Sequence, residues 1–367
     1  MLETISYIPI LKTKRAEFTA LSRLDTFTKS KIIPLLEIEP VSIDLDLGAP
    51  DKSYDEMLSG FEQKVLTGCN GIPTIFLDGV LIEEHFISPT DQYPIENAII
   101  QARNAGFRVI PVTSPTRSSN YQQSIKSLMQ GEVCLRLTTT DLVNPQLITS
   151  YVHELNIAPE HIDVIIDLRD TLSEVDINSG RARMLALGLI NNLAKILQYR
   201  TITLASGSFP VDLSDISVGT YSQTRLEWTL WQDIYSSNQL PRNIIYSDYG
   251  VQHPDYTHLA TKYPRTSASV RYTGDNDFWV FRGRLAHRFG YEQYGAHSQE
   301  IISHHEYSGP LFSAGDQDIY DYAQTYTQFL QGSSGDYRFG SAETWRKIGQ
   351  NHHITKVVSQ LSNLYGL

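Results

Sequence analysis

The chain has 367 residues, a formal net charge of −11, 41% apolar and 19% charged side chains, and two cysteines. That composition suits a globular protein able to bury a large core without disulfide staples, and the acidic balance argues against an extended nucleic-acid-binding face. No run reaches the ~18–20 apolar residues of a membrane span, and the opening MLETISYIPILK lacks the basic start and cleavage site of a signal peptide, so the expectation is a cytoplasmic protein with no membrane partner.

Short apolar, β-branched runs begin at 5–11 and recur at 32–38, 72–77, 107–112, 133–137, 162–168, 201–205 and 244–246. Stretches with helical period separate them at 16–24, 54–66, 95–105, 121–129, 145–155, 181–197 and 224–235. Strands covered on both faces by helices read as continuous hydrophobic runs, and these do. An open doubly wound sheet would alternate in the same way, but the count of eight runs favours closure. After the first run stands Lys12-Thr13-Lys14-Arg15, where a dinucleotide-binding sheet carries GxGxxG. The reading is therefore α/β: a (β/α)8 TIM-like barrel over residues 1–264. Beyond about Tyr263 the pattern changes. Runs at 267–272 and 278–281 flank the turn-rich Gly274-Asp275-Asn276-Asp277, and helical stretches follow at 316–330 and 341–364 around a Gly/Ser loop at 331–336. Residues 265–367 thus read as a C-terminal α+β extension, a hairpin plus helices packed on the barrel. Cys69 and Cys134 suit buried free thiols better than a disulfide.

In a barrel of this class the working groups sit where strands end at the C-terminal face. Leaving the runs in order one meets Lys12, Glu37, Asp78, Thr113, Arg136, Asp167 with Arg169, Ser206 with Ser208, and Asp248 with Tyr249. Facing inward together they would ring one mouth with acids, cations and hydroxyls. Each could equally begin a loop, cap a helix or make a solvated ion pair. Arg136 and Asp167 stand out, because a charge embedded in VCLRL or VIIDLR must be paired or line a cavity to escape several kcal/mol of desolvation; Glu37 within PLLEIEP follows the same logic. Converging carboxylates would suit general acid–base work or Mg²⁺, while Lys12 and Arg136 would suit a phosphate or carboxylate of a ligand. No GxSxG or HExxH motif is present, and the neighbouring pairs His304-His305 and His352-His353 point about 100° apart on a helix, so they read as structural or exposed.

The opening YIPILKTKRAEFTAL with KIIPLLEIEPV, and the later FSAGDQDIYDYA and WRKIGQNHHITKVV, resemble the phage beta protein family. Lys12, Glu37, Trp345, His352 and His353 carry the resemblance, which restores weight to the histidine pair. It implies a setting in phages and in bacterial mobile or defence-associated loci, and no particular reaction. The leading expectation is a conflict-associated barrel with a polar mouth pocket for an anionic, phosphate-bearing small molecule, whether it binds or hydrolyses that molecule. The rivals are a non-catalytic protein-binding module, such as an inhibitor or partner subunit, and a metal-dependent phosphodiesterase.

Overall fold

Eight parallel strands close a barrel in chain order: Tyr7–Lys12, Leu35–Glu37, Thr74–Asp78, Arg108–Thr113, Val133–Thr138, Ile162–Asp167, Thr201–Ala205 and Ile245–Asp248. The last pairs back onto the first, with Tyr7 opposite Tyr246. This computed structural model describes residues 5–44, 48–83, 93–256 and 265–366, and the expected junction at residue 264 lies outside them. The (β/α)8 architecture read from the sequence is the architecture found.

Strand residues alternate between two environments, as the period of two requires. Ile8, Ile10, Leu35, Phe76, Ile110, Val112, Cys134, Ile165 and Ala205 fill the barrel interior. Residues of the other parity, such as Leu11, Leu36, Leu77, Leu135, Val164 and Leu204, join the larger core beneath the helical layer. Both layers are mainly apolar, with Thr74, Asp163, Thr201 and Thr203 as buried polar exceptions before the strand ends. Cys69 and Cys134 are buried and free, and burial pushes the Cys69 thiol up to about 12.

Beyond the barrel an antiparallel sheet takes the order Gly219–Thr224, Asp277–Leu285, Ser267–Thr273. Its first strand leaves the chain between the seventh and eighth barrel strands, so the extension is tied into the barrel at two places. Helices Glu292–Ile302 and Ala314–Leu330 cover this sheet, together with the long helix Ala342–Tyr365. That long helix joins the two parts. Trp345 and Ile348 lie in the core of the extension, whereas Ile354, Val357, Val358 and Leu361 pack into the barrel's outer core. Ser341 and Thr344 form a reciprocal capping box at its start.

The approach of helix to sheet is close. A Cβ on Gly349 would stand 2.8 Å from the carbonyl of Arg271, so Gly349→Ala is expected to cost about 1–3 kcal/mol through overpacking. Gly188 is helical, with nothing within 4 Å of its own Cβ position, so Gly188→Ala should hold or raise stability. Urea denaturation of the two variants checks the contrast.

Candidate functional site

Three adjacent strands bring their last residues to one level, since the register sets Lys12 beside Glu37 and Glu37 beside Asp78. The period of two then turns Arg136, Asp167 and Tyr249 toward the same layer. Arg136 is its centre. Its Nη1 donates to Glu37 Oε1 (2.8 Å) and Asp78 Oδ2 (2.7 Å), its Nε to Asp167 Oδ2 (2.8 Å), and its Nη2 to the Tyr249 hydroxyl (2.7 Å). The Tyr249 hydroxyl in turn donates to Asp167 Oδ2 at 2.5 Å. All five side chains are buried.

A second guanidinium closes the group from the loop after the fourth strand: Arg117 Nη2 donates to Asp78 Oδ1 at 3.0 Å and Nη1 to Glu83 at 3.1 Å. Burial works to raise the Asp78 carboxyl, but Arg117 and Arg136 outweigh it and hold the group below its ordinary value. Desolvation pulls the Lys12 ammonium down, with Glu37 opposing, and its Nζ donates to the backbone carbonyls of His253 (3.0 Å) and Pro254 (3.4 Å). Three carboxylates therefore face three cations in a dry space, and almost every polar atom is matched; Glu37 Oε2 alone in this group lacks a hydrogen-bond partner. The guanidinium of Arg136 lies between the carboxylates of Glu37, Asp78 and Asp167.

Not every strand-end residue joins this ring. Arg169 turns away in a left-handed backbone conformation, with φ 51°, and pairs with Asp255 at 2.6 Å. Ser206 is buried at the end of the seventh strand and makes none of the ring's hydrogen bonds. Asp248 has the opposite parity to Tyr249 and points outward to the long helix. There it accepts from Tyr7 (2.5 Å), Tyr246 (2.8 Å), the Gly250 amide (2.9 Å) and His353 Nε2 (2.9 Å). Burial raises and His353 lowers the Asp248 carboxyl, which ends at about 2. Burial pulls the His353 imidazole below its ordinary value, with Asp248 opposing, and its Nδ1 lies 2.9 Å from the Thr273 hydroxyl. The two nitrogens of His352 lie against the Asp316 carboxylate and the Thr273 carbonyl, each at 2.8 Å. The histidine pair is thus buried and polar-bonded at the seam between barrel and extension.

Above the ring lies a cleft of about 620 Å³, entered over the C-terminal ends of the first, second, seventh and eighth strands. Lys12, Lys14, Arg15, Arg271 and Arg346 line it, against Glu39, Asp255 and Glu343. Arg15 pairs with Glu343 across the rim at 3.4 Å, both exposed. Lys12, Lys14, Arg271 and Arg346 make no ion pair with a described carboxylate, in contrast to arginines such as Arg23 and Arg200, which pair with Asp318 and Asp163. Arg271 donates to the Val251 carbonyl at 2.5 Å and lies 4.5 Å over the Phe209 ring; burial, reinforced by repulsion from Arg346, pushes it down to about 9. Lys14 sits 4.7 Å over the Tyr256 ring. Sequence reasoning missed Arg117, Arg271 and Arg346; a lone arginine in a loop, a strand and a helix start carries no local mark of convergence.

Among the described residues one group could offer three ligand atoms to a cation, all within 4.8 Å of one another: Asp170, His253 and Asp255. It lies at the rim of the cleft, and Asp255 is already engaged by Arg169. No helix among the described residues is long and apolar enough to cross a membrane.

A family model described as Beta protein matches residues 7–359. Protein beta of Enterobacteria phage P4 is 25% identical over 298 residues, covering 77% of this chain and 76% of the phage protein. A solved structure, the carboxyl transferase domain of Rhizobium etli pyruvate carboxylase with pyruvate and biocytin, aligns over all of this chain and 57% of its own at 10% identity. With a TM-score of 0.27, that likeness carries no argument.

Proposed function

The chain belongs to the Beta protein family, and from that premise we propose that it holds an anionic, phosphate-bearing small molecule in the cleft over its barrel mouth. One observation carries the reading: on a chain of net charge −11, five cations line a single concave place against three carboxylates, and of the five only Arg15 makes an ion pair with a described carboxylate. Clustering like charges costs free energy, and a bound anion relieves that cost. Guanidinium groups at Arg271 and Arg346 suit the fork geometry of phosphate, and Lys12 supplies a point charge from the barrel floor. The Arg136 ring beneath serves as the support that fixes the strand ends, and its only free acceptor is Glu37 Oε2. The phage source of the relative is what supports setting this ligand in phage–host conflict.

Isothermal titration with inorganic phosphate tests the reading. We expect saturable binding to the wild-type chain that weakens with salt, and a loss of about 10-fold or more for Arg346→Gln, the cost of one charge-assisted contact. Absence of binding, or binding indifferent to Arg346→Gln and Lys14→Gln in folded protein, would remove the cleft from the account.

A second reading, a non-catalytic protein-binding module, is favoured by a different feature. Val175, Met184 and Leu185 are 65%, 73% and 54% exposed on the helices Glu174–Asn178 and Arg181–Asn191. Apolar groups left open to water on neighbouring helices suit a protein partner. Copurification of a partner that survives Arg346→Gln but is lost in Met184→Glu/Leu185→Glu would favour this module over the small-molecule reading.

A further inference from the structure

The cationic cleft does not end at its own walls. A second basin of about 320 Å³ adjoins it and shares Thr266, Arg271, Ala342 and Arg346 as lining. Its far side carries two more arginines, Arg265 and Arg282, with Asp212 as its one carboxylate. Neither arginine makes an ion pair with a described carboxylate; Arg265 is exposed and Arg282 half-buried. Arg346 lies at the junction. Its charge acts on Lys14 in the first basin and on Arg271 in the shared wall, lowering both. The trough therefore has cations at one end (Lys12, Lys14), in the middle (Arg271, Arg346) and at the other end (Arg265, Arg282).

Resting on the reading above, we infer that the ligand carries linked phosphates, with at least two anionic groups, one seated in each basin and both held by the shared pair Arg271 and Arg346. A single phosphate is a few ångströms across and engages one basin plus the middle pair. Arg265 and Arg282 of the other basin would then stand without an anionic partner within ion-pair distance. A linked second phosphate engages them without a second loss of translational freedom, so its gain in affinity exceeds what charge alone supplies. A strand of nucleic acid would need the cationic surface to continue past both basins, which the net charge of −11 disfavours.

The probes are orthophosphate, pyrophosphate and tripolyphosphate, titrated calorimetrically into the full chain at one ionic strength. Tripolyphosphate is expected to bind at least about 10-fold more tightly than orthophosphate, about 1.4 kcal/mol. In Arg265→Gln/Arg282→Gln that ratio should fall below about 3-fold, with unfolding midpoints recorded to show that the variants are folded. Arg265→Gln alone, at an exposed position, provides the same readout if the double variant misfolds. A wild-type ratio near one, or a ratio that survives loss of both arginines, overturns the linked-phosphate inference while leaving single-anion binding intact. Failure of orthophosphate and tripolyphosphate alike to bind overturns the anion reading itself.

Discussion

Arg136→Ala is expected to abolish stable folding, or to lower the unfolding free energy by about 3–5 kcal/mol, because it leaves Glu37 and Asp167 without an ion-pair partner in a dry barrel mouth and Asp78 with Arg117 alone. Glu37, Asp78 and Asp167 each bond to this one guanidinium within 2.8 Å, and none is exposed by more than 1%. Of these three Arg117 reaches Asp78 alone, its other nitrogen being engaged by Glu83, so it does not replace Arg136 at Glu37 and Asp167. Arg136→Lys should recover only part of the loss: an ammonium reaches one or two acceptors and has no planar fork to serve strands on opposite sides of the mouth. Adding Glu37→Gln and Asp167→Asn to Arg136→Met should restore most of the stability, since the cost lies in unpaired charge more than in lost attraction. Urea denaturation of the series separates these cases. A folded Arg136→Ala of near wild-type stability would show that the ring is open to water or already neutral.

The second large effect is on pH dependence. Glu227 is buried beside Ser208, which donates to its Oε2, while its Oε1 has no partner; burial pushes the carboxyl up to about 7, with Arg225 opposing and Asp248 reinforcing. In the unfolded chain the same group releases its proton near 4.5, so between these values the folded state holds more protons. Its contribution to stability is complete below about 4.5 and is lost as the pH rises through about 7, a change of about 3 kcal/mol. Asp248 has the opposite sign. Held at about 2, it stabilises the folded state above about 3.8 and loses that contribution as the pH falls through about 2. His297, His304 and His353, held below their ordinary value by burial, act with the opposite sign over part of the same interval, so the reading is a difference: from pH 4.5 to neutrality the unfolding free energy of Glu227→Gln should gain on that of the wild type. A difference that stays constant over this interval would contradict the assignment.

The barrel was legible because its strands are buried on both faces. Most of the eight read as short, mainly apolar runs, and a run such as VIIDLR or TIFLD has no other comfortable environment. The strand Gly219–Thr224 escaped notice for the converse reason: GTYSQT is polar and mostly exposed, held by pairing with Asp277–Leu285 and not by its own pattern. Helix Glu292–Ile302 was equally quiet, its apolar stripe being narrow. At the site, strand ends named the right neighbourhood but not the direction in which each side chain points. Counting by twos from Ser247, which bonds to the Ile8 carbonyl, places Tyr249 inside and Asp248 outside, a step the sequence permits once the buried face is known. The cleft was beyond such reasoning. Lys12 and Arg346 lie more than 300 residues apart, and no local period marks side chains brought together by a helix that spans barrel and extension.

The histidines show the same limit from the other side. Spacing alone gave no reason to pair His353 with Asp248 or His352 with Asp316, yet both bonds form because the long helix is buried on two sides at once. These contacts sit at the seam that also shapes the cleft. His353→Ala should therefore weaken both stability and anion binding, whereas Arg346→Gln should weaken binding alone.

The account turns on where an anion sits, and a crystal structure of the chain grown with tripolyphosphate answers that directly. Density for phosphate groups between Lys14, Arg271 and Arg346, over an intact Arg136 ring, is the predicted result. A clear anion elsewhere, or phosphate displacing the carboxylates around Arg136 while the cleft holds only water, would contradict it.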